Sequence, residues 1–151
     1  MSDRGVSFET TLFVRDTCLC LHVQRAARML ARRFDETLRP LDLTSGQFSL
    51  LMCLNQPRPP NIGTIASILT MDRTTLTAAL KPLQRRGLVR TIIDPADKRN
   101  RRVALTEAGR ALLSRALPAW REAHTRLEKR IGGAADRLRN DLRILAEPLT
   151  P

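Results

Sequence analysis

Asn61-Ile62-Gly63-Thr64-Ile65-Ala66-Ser67-Ile68-Leu69-Thr70-Met71-Asp72-Arg73-Thr74-Thr75-Leu76-Thr77-Ala78-Ala79-Leu80-Lys81-Pro82-Leu83-Gln84-Arg85-Arg86-Gly87 is the stretch on which the fold turns. It holds two runs of helical apolar spacing, residues 62–69 and 73–86, separated by a break at Met71-Asp72. Asp72 suits the N-cap of the second run, and Gly87 is the residue expected just past its end. Two β-favouring runs follow, 88–93 and 102–105, joined by the charged loop 94–101. Two short helices, a tight turn and a hairpin with a basic tip predict a winged helix-turn-helix, an architecture that reads DNA.

The second run decides how such a module would work. Leu76, Ala79, Leu80 and Leu83 recur at helical spacing and must face a core. The opposite face then carries Thr74, Thr77, Ala78, Lys81 and Arg85, with Arg73 and Thr75 in the first turn. That face is small, hydroxylated and basic, without the glutamates that a bland surface helix mixes with its lysines. Thr can meet a thymine methyl or an acceptor, and Arg or Lys can reach guanine or phosphate. Residues 71–102 hold nine Lys/Arg against three Asp, an excess of six within a whole-chain charge of +11. A charge run in a loop is ordinarily just solvated. Here it directly follows a candidate recognition helix, the electrostatic footprint of a phosphate-binding surface.

Four motifs stand out: Leu83-Gln84-Arg85-Arg86-Gly87-Leu88-Val89, Asp94-Pro95-Ala96-Asp97-Lys98-Arg99 and Val103-Ala104-Leu105-Thr106-Glu107-Ala108-Gly109, with Leu43-Thr44-Ser45-Gly46-Gln47-Phe48 upstream. Together they resemble those of the MarR family of winged-helix regulators. They stand in order and at family spacing, and the resemblance covers nearly the whole chain. It implies that Asp97 orients Arg99 in the wing, beside Lys98 and Arg101, toward a minor groove. It also implies a homodimer on a pseudo-palindromic double-stranded operator, with aromatic acids or phenols as effectors. The sequence departs from the family at Ala78, where an arginine is common, and at Pro82 inside the recognition helix, where a local bend is expected.

Outside this stretch, 151 residues suit one domain with flanking arms. No apolar run approaches the roughly 18 residues that span a bilayer, and the N-terminus lacks a signal-peptide core, so a cytoplasmic chain with no membrane partner is expected. Met1 to Val14 reads as an irregular lead-in with Phe8, Leu12 and Phe13 available to pack. Asp16 or Thr17 would cap a long helix to about Arg39, ended by Pro40, with Leu19, Val23, Ala26, Ala27, Leu30, Phe34 and Leu38 as its apolar stripe. Thr44 and Gln47 form a capping box before a nearly all-apolar helix. Thr106 caps a second long helix, expected to kink at Pro118, and Gly132-Gly133 precede a last helix bearing Leu138, Leu142 and Leu145. The expected organisation is a single mainly α domain, 1–151. Residues 16–39 and 107–148 would be helical dimerisation arms, and 44–105 a winged-helix lobe with a β-hairpin wing.

No constellation calls for catalysis or a resident cofactor: there are two histidines, no tyrosine, no glycine-rich phosphate loop and no paired carboxylates. Cys18 and His22 lie one helical turn apart but lack a second pair to complete a metal site, so none is assigned. Cys53 sits in an apolar helix and reads as core. Cys20 stands at the position of the reactive cysteine in the family's organic-hydroperoxide sensors. The two tyrosines that support that thiolate are Gln24 and Phe34 here, so redox sensing through Cys20 is the alternative to a ligand-released repressor. Arg28, Phe34 and Met52 are the residues expected to line the effector pocket. An architectural nucleic-acid binder with no effector is the third reading.

Overall fold

The computed structural model describes residues 5–148. The chain runs α1 (Phe8–Thr17), α2 (Leu19–Leu38), a 3-10 turn (Arg39–Leu41), α3 (Ser45–Leu54), α4 (Ile62–Leu69), α5 (Arg73–Arg85), β1 (Val89–Ile93), β2 (Arg101–Leu105), α6 (Glu107–Arg130) and α7 (Ala135–Ala146). Among the described residues, no helix is long and apolar enough to cross a membrane. The two strands pair antiparallel, from Val89 opposite Leu105 to Ile93 opposite Arg101. This is a mainly α winged helix-turn-helix.

Local chemistry starts the helices where side-chain acceptors stand ready. Thr44 Oγ1 accepts from Gln47 N at 3.2 Å while Gln47 Oε1 accepts from Thr44 N at 3.1 Å, the reciprocal pairing of a capping box. Asn61, Asp72 and Thr106 cap α4, α5 and α6 one way only, each side chain accepting from the N–H three residues on. Gly87, at φ 68°, turns α5 into β1. Both α5 and α6 remain single helices through Pro82 and Pro118. The N–H that Pro82 lacks would have met the carbonyl of Ala78, which lies on an exposed turn where water can serve it.

Two expectations at the N-terminus need correction. Residues 8–14 are not irregular: Ser7 Oγ accepts from Thr10 N at 3.2 Å and starts α1, while residues 1–4 of that stretch lie outside those described. Nor does Asp16 or Thr17 cap the long helix. Asp16 is paired with Arg15 at 2.6 Å, Thr17 Oγ1 donates back to Phe13 O at 2.7 Å, and the N-cap is Cys18, whose Sγ accepts from Leu21 N at 3.5 Å. The chain bends at Cys18, where ψ is 107°, so α1 and α2 are separate helices.

The core lies beneath the helix-turn-helix. Leu51, Ile65, Leu76, Leu83 and Val103 are fully buried, joined by Leu38 from α2 and by Leu112, Leu113 and Ala116 from α6. Each such side chain contributes about 1.5–3 kcal/mol on burial. The 44–105 stretch is therefore packed only with help from both flanking helices. Glycine is required where they meet. A Cβ on Gly109, in the first turn of α6, would collide with the carbonyl oxygen of Leu88, which already accepts from Thr106 N at 3.0 Å.

Candidate nucleic-acid interface

The apolar spacing in α5 buries Leu76, Leu80 and Leu83, and the same rotation exposes Thr74, Thr77, Ala78, Lys81 and Arg85. Hydrogen bonds then differentiate the threonines. The Asp72 carboxylate accepts from Thr75 N at 2.8 Å and from Thr75 Oγ1 at 2.6 Å, so Thr75 belongs to the cap as well as to the exposed first turn. Those two bonds, the hydroxyl's first, hold the Asp72 carboxyl below the usual carboxylate range. Thr77 Oγ1 donates to Arg73 O at 2.7 Å. With its proton spent inside the helix, Thr77 offers a methyl and acceptor lone pairs outward. Gln84 Nε2 donates to Thr91 Oγ1 at 2.8 Å and ties the helix to the wing.

Two aspartates build the wing tip by different means. Asp97 Oδ1 accepts from the backbone N–H of Arg99 at 3.0 Å, and its other oxygen accepts from Asn100 Nδ2 at 3.3 Å. The carboxylate thus shapes the turn that projects Arg99 and does so through the main chain. Lys98, Arg99 and Arg101 are exposed, with Arg101 Nη1 donating to Lys98 O at 2.9 Å.

Asp94 was not singled out by its sequence context, yet it is buried at the base of the wing, with 4% exposure. Its carboxylate meets Arg102 Nη2 at 2.8 Å and accepts from Ala96 N at 3.0 Å. These bonds, that of Arg102 foremost, hold its pKa below the ordinary value against the opposing effect of burial. Arg102 Nη1 also donates to Pro59 O at 2.8 Å, and Val103 N donates to Pro60 O at 2.9 Å. Asn61 bridges to Arg102 as well. The proline-rich link between α3 and α4 is therefore stitched along β2. The only local hint in the sequence is the spacing of Asp94 and Ala96, which suits a carboxylate folding onto the backbone two residues on. The arginine that completes the clamp is 43 residues from Pro59.

Between α4, α5 and the wing lies a polar cleft of about 350 Å³, bordered by Asn61, Gly63, Arg73, Thr77, Arg99 and Arg101 among others. The recognition helix and the wing, read separately from the sequence, share this space.

The expected effector residues are not gathered into one cavity. Phe34 borders a groove of about 620 Å³ between α2 and α6 with Arg33, Arg126 and Arg130. Met52 borders a separate, more apolar groove of about 440 Å³ with Phe48, Ile68 and Trp120. Trp120 borders the second groove, its ring centroid 6.3 Å from that of Phe34, 5.8 Å from that of Phe48 and 4.7 Å from that of His124. Arg28 borders neither groove and donates from Nη2 to Gln24 Oε1 at 3.1 Å. Phe34, at i+6 from Arg28, faces another side of α2.

Cys20 is exposed and accepts one hydrogen bond, from Gln24 Nε2 at 3.1 Å. Phe34 provides no donor and is stacked on Trp120. Cys18 caps α2, and His22 Nδ1 lies 2.8 Å from Cys18 O rather than from its sulfur. Among the described residues, no group of three His, Cys, Asp or Glu side chains is placed to hold a metal ion. Cys53 is half-buried, and burial pushes its thiol pKa up.

The sequence model of the MarR family matches residues 43–100. Among solved structures, a transcriptional repressor named CouR, bound to a 23-mer DNA duplex, superposes with a TM-score of 0.80. It is 31% identical, over 89% of this chain and 96% of that one. The M. tuberculosis regulator MosR in complex with DNA is 36% identical over 85% of this chain and 92% of its own, with a TM-score of 0.74. CouR from Rhodococcus jostii RHA1 bound to p-coumaroyl-CoA is 26% identical over 90% and 96%, with a TM-score of 0.77. The exposed basic face of α5, the wing beside it and these likenesses lead to one assignment: the chain belongs to the MarR family of winged helix-turn-helix, DNA-binding transcriptional regulators.

Proposed function

We propose that the protein is a homodimeric, sequence-specific repressor, working in the cytoplasm and released from a pseudo-palindromic operator by a small aromatic effector. The observation that carries the DNA reading is the shared cleft, which sets α5 and the wing side by side as one basic surface. In this reading residues 44–105 form the DNA lobe. Residues 16–39 and 107–148 form arms that pair with a second copy and place two recognition helices about one DNA turn apart. Thr74, Thr77 and Lys81 face base edges, with Arg85 beside them. Lys98, Arg99 and Arg101 meet the backbone and minor groove, and Asp97 shapes the turn that presents them.

The groove bordered by Phe34 lies between α2 and α6 and the one bordered by Met52 between α3, α4 and α6, and Trp120, on the wall of the second, stacks on Phe34 of the first. A ligand wedged there would change the separation of the two recognition helices, so effector and operator binding oppose each other reciprocally. An aromatic acid or its thioester fits the stacked rings, and a related repressor holds p-coumaroyl-CoA. The chemistry proposed is binding alone, with no catalysis and no cofactor.

The test is selection of bound duplexes with and without aromatic acids and their CoA thioesters, repeated on two variants. Thr77→Ala should re-rank sites, by about 1–3 kcal/mol at one base pair at most. Arg99→Ala should weaken binding to most sequences and lower the salt slope by about one if it neutralises a phosphate. Undiminished affinity of Arg99→Ala at physiological salt would remove the wing from the interface, and no response to any aromatic acid would remove the effector.

A further inference from the structure

A helix lying in a major groove and a wing entering the next minor groove are necessarily separated by the sugar-phosphate strand that divides the two grooves. In this molecule the space between helix and wing is the cleft of about 350 Å³. Its walls carry Arg73 on one side and Arg99 and Arg101 on the other, and no acidic residue borders it. The Arg101 guanidinium is pinned to the wing by its bond to Lys98 O. Arg73 folds back across the first turn of α4, where a Cβ built on Gly63 would stand 3.1 Å from Arg73 Nη2 and 3.4 Å from Asn61 Oδ1. The width of the cleft is set from outside by the bonds of Arg102 and Val103 to Pro59 and Pro60.

We propose that this cleft is a seat for one backbone phosphate of the operator, the one on the strand between the two grooves, held by Arg73 and Arg101. Arg73 is then a phosphate ligand and not a base reader, despite its place at the head of the recognition helix. Gly63, with no Cβ, leaves the Arg73 guanidinium room at that wall of the cleft. The inference rests on the DNA-reading function above and assigns a defined role within it.

Four variants and one modified duplex test it. Arg73→Gln and Arg101→Gln should each lower the slope of log affinity against log salt by about 0.9, one phosphate's worth, and the double variant should lower it no further, since both hold the same phosphate. Cognate and scrambled duplexes should weaken by the same factor. Gly63→Ala changes no charge and improves helix propensity. It should melt no lower than the parent yet bind both duplexes more weakly, a split that a purely structural role would not give. Scanning the operator with single neutral methylphosphonate linkages should reveal one, between the major-groove and minor-groove contacts, that weakens the parent but adds little to Arg73→Gln. An unchanged salt slope in Arg73→Gln, or a re-ranking of sites at constant slope, overturns the seat. So does a methylphosphonate effect that simply adds to that of the variant. A parent that shows no preference among duplexes would instead overturn the sequence-specific reading on which the seat depends.

Discussion

The DNA lobe and the terminal helices obey different physics. In the lobe, α3, α4 and α5 each turn apolar side chains into a shared core, and Leu51 and Leu76 are wholly buried. Neither α1 nor α7 buries a single residue, although Phe8, Phe13, Leu142 and Leu145 are large and apolar, with Leu145 56% exposed. α7 is tied to α6 by a polar link, Arg139 to Glu128 at 2.6 Å, and leaves an apolar groove of about 390 Å³ bordered by Met29, Leu30, Leu127 and Leu138. Such an ion pair at the surface stabilises little. A core shared by α2 to α6 and two terminal helices that bury nothing are what a chain built for a second copy should show.

Removing residues 132–151 is the harshest way to probe that contrast and should have the largest effect. The proposed dimer loses an apolar helix, so the remaining chain should aggregate or lose cooperative folding in sedimentation and thermal melting. A monodisperse monomer that binds operator at full affinity would show that the arms are dispensable. Gly109→Ala probes the junction instead, by driving a methyl into the Leu88 carbonyl. It should cost about 1–3 kcal/mol in urea unfolding, as overpacking does elsewhere. A parent-like unfolding midpoint would mean that lobe and α6 can slide apart without penalty. Smallest of all should be oxidation at Cys20, which lies on the exposed first turn of α2. Its sulfur accepts a hydrogen bond from the Gln24 amide, and the chain has no tyrosine to stand beside it. Organic peroxide should leave operator binding of the parent and of Cys20→Ser alike. Rapid release that depends on Cys20 and reverses with thiol would make it the trigger in place of an aromatic ligand.

What was legible in the sequence follows the same division. The lobe announces itself because its signals are local: Asp72, Thr44 with Gln47, and Thr106 each act within three residues, and the leucine spacing of α5 fixes which face is free. The start of the long helix was misplaced because three consecutive residues, Asp16, Thr17 and Cys18, can all accept from a helix N-terminus. Only the surrounding bonds decide among them. Asp94 carries a local hint in Ala96, but the bond of Arg102 to Pro59 is illegible because those residues stand 43 apart in the chain. The separation of Phe34 and Met52 into two grooves is not legible because Trp120 reads as one more apolar position of α6, and only in three dimensions does it stack on both Phe34 and Phe48.

That indole also makes the molecule its own optical instrument. The chain has one tryptophan and no tyrosine, so its near-ultraviolet emission comes almost wholly from Trp120. The emitter lies on α6 against Phe34 of α2, Phe48 of α3 and His124, none of them on α5. Under the proposed function, its fluorescence therefore reports on the grooves bordered by Phe34 and Met52 rather than on the helix that meets DNA. Titrated with operator alone, the same signal becomes a measure of how far a message from the DNA travels back into the arms.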